Sequence, residues 1–217
     1  MTSALILSGG GLYSDPWHPF AETSEGIAGI LAGIGFETEI REDVEDALVD
    51  LDGIDLIVPN AAAGPESDKR APARAGVLAF LARGGGVFAL HTGTSGLVGI
   101  PEWEGVTGMA WVEGSGHPPA GPSRVNVHAE VHPIAAALTD FELWDERYSR
   151  LRLADDVTPF VTHELDGVTH PLVWAHGRGA ARVVVDTLGH DGRSFDSPEH
   201  RLIVERGARW ATGLPLE

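Results

Sequence analysis

Short apolar runs alternate along the chain with stretches whose apolar residues recur every three or four positions. That alternation is the pattern of β-α-β units around a parallel sheet. Residues 4–8 read as a buried first strand, closed by Gly9-Gly10-Gly11. Residues 22–34 carry Ile27, Ile30, Leu31 and Ile34 on one helical stripe, and Gly35 ends it. Residues 36–42 alternate as a second strand, and 55–59 form a short, continuous third. Residues 70–82 predict a helix with Ala73, Val77, Phe80 and Leu81 inward; Gly84-Gly85-Gly86 breaks it before a buried central strand at 87–90. His91 then falls on the turn.

The second half is less regular. Residues 100–122 are rich in Gly, Pro and Trp without a clear period, and read as an irregular, site-forming segment. Strands are expected at 124–128, 157–162, 171–174 and 181–187, the last two joined by a turn at 176–179. A closing helix runs over 197–212, with Ser197 as N-cap and Pro198 in its first turn. The expected architecture is one α/β domain over 1–217: a flavodoxin-like three-layer sandwich with a mainly parallel central sheet, helices on both faces and added short strands.

Charge and composition then narrow the function. With 32 acidic against 15 basic residues the formal net charge is −17, which repels phosphate backbones and anionic lipid. Nucleic acid and membrane are therefore not expected partners. The start of the chain lacks the basic region of a signal peptide, and no stretch approaches the roughly 20 apolar residues of a spanning helix, so a cytoplasmic location is expected. There is no cysteine, which removes disulfides, thiolate metal sites and thiol nucleophiles together.

In an open α/β sheet, ligands bind beyond the carboxyl ends of the strands. His18 follows the first strand, His91 the central one, and His190-Asp191 the last, while the segment 141–148 supplies Asp145 and Glu146. Imidazoles with a carboxylate suit zinc or a similar divalent ion, and equally suit acid/base work near neutral pH. Each has a plainer reading. His91 could cap the next helix, His190 could bond a loop carbonyl, and Asp145 or Glu146 could pair with Arg147 or Arg150. Trp17, Trp103 and Trp111 lie in loops where flat faces could stack on sugar rings; Trp144, Trp174 and Trp210 read as core. His117 and His132, each before a proline, read as structural, and His163, His170, His176 and His200 as surface or turn residues. His128 and His132 have i, i+4 spacing, but Pro133 and the strand before them argue against a metal-binding helix. Neither Gly9-Gly10-Gly11 as a phosphate loop nor Gly93-Thr94-Ser95-Gly96 as a serine elbow has the required spacing.

Taken in order, several landmarks resemble the ThuA-like (trehalose-utilisation) family of the class I glutamine amidotransferase-like superfamily. They are the run from Gly84 through His91, His18-Pro19-Phe20, Trp103, Gly108, His117-Pro118, His132-Pro133-Ile134, Asp145-Glu146-Arg147-Tyr148, Pro171-Leu172-Val173-Trp174, Leu188-Gly189-His190-Asp191 and Arg209-Trp210-Ala211-Thr212-Gly213. The resemblance implies a flavodoxin-like sheet. In the related amidotransferases the turn after the central strand carries a nucleophilic cysteine; here His91 stands there, so a glutaminase is excluded. The family is associated with use of trehalose and related disaccharides, beside enzymes that oxidise sugars to keto derivatives. The segment from Glu113 to Arg124, unusually short of charge and bulk, is a departure from the family, and a different substrate preference is expected if that loop walls the pocket in relatives.

The expectation is a carbohydrate-processing enzyme of hydrolase or isomerase type, acting on a disaccharide, glycoside or keto-sugar. His91, Glu146 and His190 would be catalytic and would hold the divalent metal; His18, Trp17, Trp103, Asp145 and Asp191 would bind substrate. The alternative is a non-catalytic sugar-binding or assembly module. A small-molecule carbohydrate is the expected partner, and a homodimer the candidate assembly.

Overall fold

The elements run β1 (Thr2–Ser8), α1 (Phe20–Gly33), β2 (Phe36–Arg41), α2 (Val44–Val49), β3 (Leu56–Asn60), α3 (Arg70–Ala82), β4 (Gly86–Leu90), α4 (Trp103–Thr107) and β5 (Met109–Ala110). They continue as β6 (Gly121–Val127), β7 (Phe141–Asp145), β8 (Arg152–Leu153), β9 (Val161–Leu165), β10 (Val168–Arg178), β11 (Ala181–Asp186) and α5 (Pro198–Ala211). This is a computed structural model, and it describes residues 1–65 and 67–216.

Nine strands form the main sheet in the order β2-β1-β3-β4-β11-β10-β9-β6-β7. The strands from β2 to β11 pair in parallel and the remaining ones antiparallel. The period-2 geometry of β1 sets the layers. Ala4 and Ile6 pack on one face with Ile27 and Leu31 of α1 and Ile203 and Val204 of α5. Leu5 and Leu7 pack on the other with Leu48 of α2 and Val77 and Phe80 of α3. This is the α/β sandwich expected from the sequence.

Most differences fall in the second half. The irregular segment contains α4 and β5, both too short to leave a periodic signal. The strand expected at 157–162 is displaced to β9, and β10 is longer than the apolar run at 171–174. Pro171 stays inside β10 because the β9 register shifts between Pro171 and Val173, and pairing with β11 begins only at Val173. The turn expected at 176–179 tightens, since β10 runs on through Arg178 and β11 starts at Ala181. At the closing helix the reading holds: Ser197 caps α5, its hydroxyl accepting the N–H of His200 at 3.2 Å.

The antiparallel extension decides where the site lies. Four successive reversals from β11 to β7 return β7 to the direction of β11, so Asp145 ends its strand at the same rim as Asp186. Four strand spacings in a flat sheet would hold them about 19 Å apart. Instead the Gly189 N–H donates to Asp145 Oδ2 at 2.8 Å. The extension therefore curls back over the end of the parallel part.

Candidate functional site

His91 is the first residue after β4 and has φ of +45°, a left-handed conformation uncommon outside glycine. Behind it, a Cβ added to Gly93 would lie 2.2 Å from the Pro59 carbonyl, so the turn is pressed against the end of β3. The ring is fixed: His91 Nδ1 lies 2.8 Å from the Thr187 carbonyl, which can only accept. Nδ1 therefore carries a proton, and in the neutral imidazole Nε2 is left with the lone pair. His18 is set the same way, with Nδ1 2.7 Å from an oxygen of Asp15. Asp15 Oδ1 also accepts the N–H groups of Trp17 and His18, so one carboxylate orders the whole loop.

Glu146 and His190 reach this point through a shared buried anchor. Asp145 Oδ1 accepts the N–H of Glu146 at 2.8 Å and of His190 at 3.1 Å. Its Oδ2 accepts Gly189 N–H and the hydroxyl of Ser194. Ser194 Oγ is 2.9 Å from His200 Nδ1, and His200 Nε2 is 2.9 Å from Asp186 Oδ2. Asp186 Oδ1 in turn accepts Leu188 N–H. The loop from Leu188 to His190 is thus held by two buried carboxylates linked through Ser194 and His200. Burial pushes the Asp145 carboxyl above its usual range, against the opposing pull of His91, Ser194, Gly189 and His200. Burial alone would lower His200, but Asp186 and Asp145 outweigh it and raise it.

The result is a cluster. Ligand atoms of His18, His91, Glu146 and His190 all lie within 4.8 Å of one another. Glu146 Oε2 is 3.5 Å from both His91 Nε2 and His190 Nδ1, and its Oε1 is 3.4 Å from His117 Nδ1. Burial pushes the Glu146 carboxyl up, but His91, with His190 and His117, outweighs this and holds it below its usual range. In His18, burial first and the neighbouring His91 second push the imidazole down, against the support of Asp15. Glu146 Oε2 and His190 Nδ1 are buried without a hydrogen-bond partner among the described residues. Buried atoms of this kind need a partner, which an ordered water, an ion or a ligand supplies. Nitrogen and carboxylate donors with carboxylate or carbonyl support behind them fit a first-row divalent ion.

Above the cluster opens a cavity of about 910 Å³ lined by Pro16, Trp17, His18, Ser95, Trp111, His117, Glu146, Tyr148 and His190. An adjoining cavity of about 540 Å³ shares Trp17, His18 and His190 and adds Glu22, Asp191 and Arg193. Trp17 and Trp111 present exposed indole faces here. His91, only 1% exposed, lies beneath the lining.

Several expected positions differ. Trp103 is not at the mouth: it is 2% exposed, sits in the core and donates its indole N–H to the Gly93 carbonyl. Asp145 is likewise buried and spends its oxygens on the loop, not on the cavity. Asp191 does line the adjoining cavity, where it pairs with Arg193. His117, read as structural, faces Glu146 and the cavity. His163, His170 and His200, read as surface or turn residues, are buried, and His176 lies in β10 with Nε2 2.8 Å from the Val106 carbonyl. Arg193 lies over the Trp144 ring at 4.3 Å, so Trp144 is a half-buried platform and not core. His163 Nε2 lies 3.1 Å from the Tyr148 carbonyl and His170 Nδ1 accepts the Arg150 N–H, which together brace the turn after Glu146. Tyr148 and Asp15 went unrecognised as site residues. Each had a local signal, Asp15 three positions before His18 and Tyr148 two after Glu146, but only the curled extension brings Tyr148 to His91.

The fold thus sets a histidine–carboxylate cluster at the carboxyl rim of an open α/β sheet. The chain belongs to the ThuA family, described as trehalose utilisation, whose sequence model matches residues 4–211. Among solved structures it is similar to a ThuA-like protein from Parabacteroides merdae ATCC 43184, with 20% identity, 98% of this chain and 90% of that one covered, and a TM-score of 0.80. A ThuA-like protein from Bacteroides uniformis ATCC 8492 follows at 19% identity, 97% and 91% coverage and a TM-score of 0.77. A β-galactosidase from Rahnella sp. R3 shares the fold over 99% of this chain but only 31% of its own, at 14% identity and a TM-score of 0.65. No curated protein matches the sequence. No helix among the described residues is long and apolar enough to cross a membrane. Family membership carries a carbohydrate-related role.

Proposed function

We propose that this protein is a carbohydrate-processing enzyme that acts on a disaccharide, glycoside or keto-sugar at the cluster of His18, His91, Glu146 and His190. The observation that carries the reading is the convergence of these four side chains under one cavity walled by exposed tryptophans. A merely packed module has no need of orphaned buried donor atoms at a rim. The four residues fit a divalent ion such as zinc, which when bound would polarise a sugar oxygen or activate water.

The chain's own groups divide the remaining work. Trp17 and Trp111 offer flat faces to sugar rings. Glu146, held ionised by its imidazole neighbours, is the base that takes a proton from substrate or water. His190 lines the cavity and carries an unpartnered nitrogen, which suits the complementary proton transfer. His91 lies below the lining, so its part is to hold and orient.

The test is metal analysis of the purified protein together with turnover of trehalose and of keto-disaccharides, followed by mass spectrometry. Turnover by the wild type that disappears in His190→Ala and Glu146→Gln, with folding intact, supports the reading. Sugar binding without turnover would instead support the second reading, a non-catalytic sugar-binding module. The likeness to part of a β-galactosidase favours that second reading.

A further inference from the structure

Between His91 and the cavity stands Tyr148. Its hydroxyl is 3.2 Å from His91 Nε2. In the neutral imidazole, whose proton the Thr187 carbonyl holds on Nδ1, Nε2 accepts and the tyrosine O–H is the donor. The ring cannot swing away. It packs against the His91 ring at a centroid distance of 4.8 Å and against the edge of Trp111 at 4.9 Å, with His117 at 5.7 Å.

We infer that Tyr148 is a positioning residue that competes with the ion for His91: its O–H caps Nε2 in the ion-free protein and is freed toward the cavity when an ion takes that nitrogen. The inference rests on the ion-holding role proposed above. It follows from the geometry because one lone pair cannot serve both a hydroxyl proton and an ion. With the ring clamped, the displaced O–H can turn only about its own C–O bond. An oxygen of a ligand in the cavity is then the acceptor within its reach, since Tyr148 lines that space.

Zn²⁺ titration of the full chain against a chromogenic chelator tests this, comparing wild type, Tyr148→Phe and His91→Ala. Removing the competing hydrogen bond should tighten Zn²⁺ binding about threefold to tenfold in Tyr148→Phe, whereas His91→Ala should weaken it. The chain has two tyrosines, Tyr13 and Tyr148, and Tyr13 packs elsewhere, against Gly64. A tyrosine difference band in the near-ultraviolet should therefore appear when Zn²⁺ is added to wild type and be missing in Tyr148→Phe. Equal or weaker binding by Tyr148→Phe overturns the inference. If that variant does not fold, the wild-type band alone decides, and its absence overturns the inference too. A wild type that binds no Zn²⁺ defeats the ion-holding role itself, an outcome distinct from the other two.

Discussion

His91 donates its Nδ1–H to the carbonyl oxygen of Thr187 at 2.8 Å, joining the ends of β4 and β11 across 96 positions of sequence. This one bond fixes the neutral tautomer of the central histidine and turns its Nε2 toward Glu146 and Tyr148. It does so on a backbone held at φ of +45°. The strained turn and the oriented ring are one device, in which local backbone cost is accepted at a candidate site position.

That strain can be measured apart from any activity. His91→Gly should be more stable than His91→Ala by about 1 kcal/mol, because only glycine adopts the left-handed region without penalty. Urea denaturation of the two variants decides it. An alanine variant as stable as the glycine one would mean that the turn relaxes once the imidazole is gone.

Asp145 holds both candidate segments at once. Its four donors come from Glu146, Gly189, His190 and Ser194. An asparagine there can serve only one side, because its amide nitrogen faces donors on the other. Asp145→Asn should destabilise the fold by about 1–3 kcal/mol and speed amide exchange at Gly189 and His190. Protection at those two amides equal to wild type would show that the loop is held by something else.

The buried pair of His200 and Asp186 gives stability a pH dependence. The folded pKa of His200 is raised, since Asp186 and Asp145 outweigh its burial. Its contribution is therefore fully present below the unfolded value of about 6.5 and is lost as pH rises through the higher folded value. Unfolding free energy should fall over that rising limb in wild type, and His200→Gln should flatten it. Parallel profiles for the two proteins would assign the dependence to other groups.

The tryptophans separate packing from binding. Trp103→Ala removes a core side chain with a satisfied indole N–H and should cost about 3–5 kcal/mol. Trp17, 73% exposed, should change stability by less than about 0.5 kcal/mol when replaced by alanine, while weakening sugar binding at the cavity. Calorimetry and intrinsic fluorescence with a disaccharide read the two effects separately. An unaltered sugar affinity in Trp17→Ala would remove that indole from the binding surface.

Much of this protein is determined by the order of its residues alone. The alternation of apolar runs and helical stripes sets the parallel half of the sheet, and α3 spans the residues its periodicity predicts. Absence of cysteine rules out thiol chemistry. The rule that ligands gather at strand carboxyl ends singles out His18, His91 and His190. These are local signals, carried by neighbours within a few turns or within one strand.

Other features depend on contacts that no local pattern records. Trp103 and Trp17 are both loop tryptophans in sequence, yet one is sealed in the core and the other stands in solvent, because only packing distinguishes them. Asp145 and Glu146 are adjacent carboxylates, and the alternation of side chains at the end of β7 turns one into a buried anchor and the other into a site group. His200 reads as a surface or turn residue, yet it lies buried in α5 and bonds the Asp186 carboxylate beneath the cluster. The curl of the antiparallel extension brings Tyr148 to His91, 57 positions away. Long-range closure, paid for by the burial of the extension's apolar face, made the site; the sequence alone determined which residues were available to it.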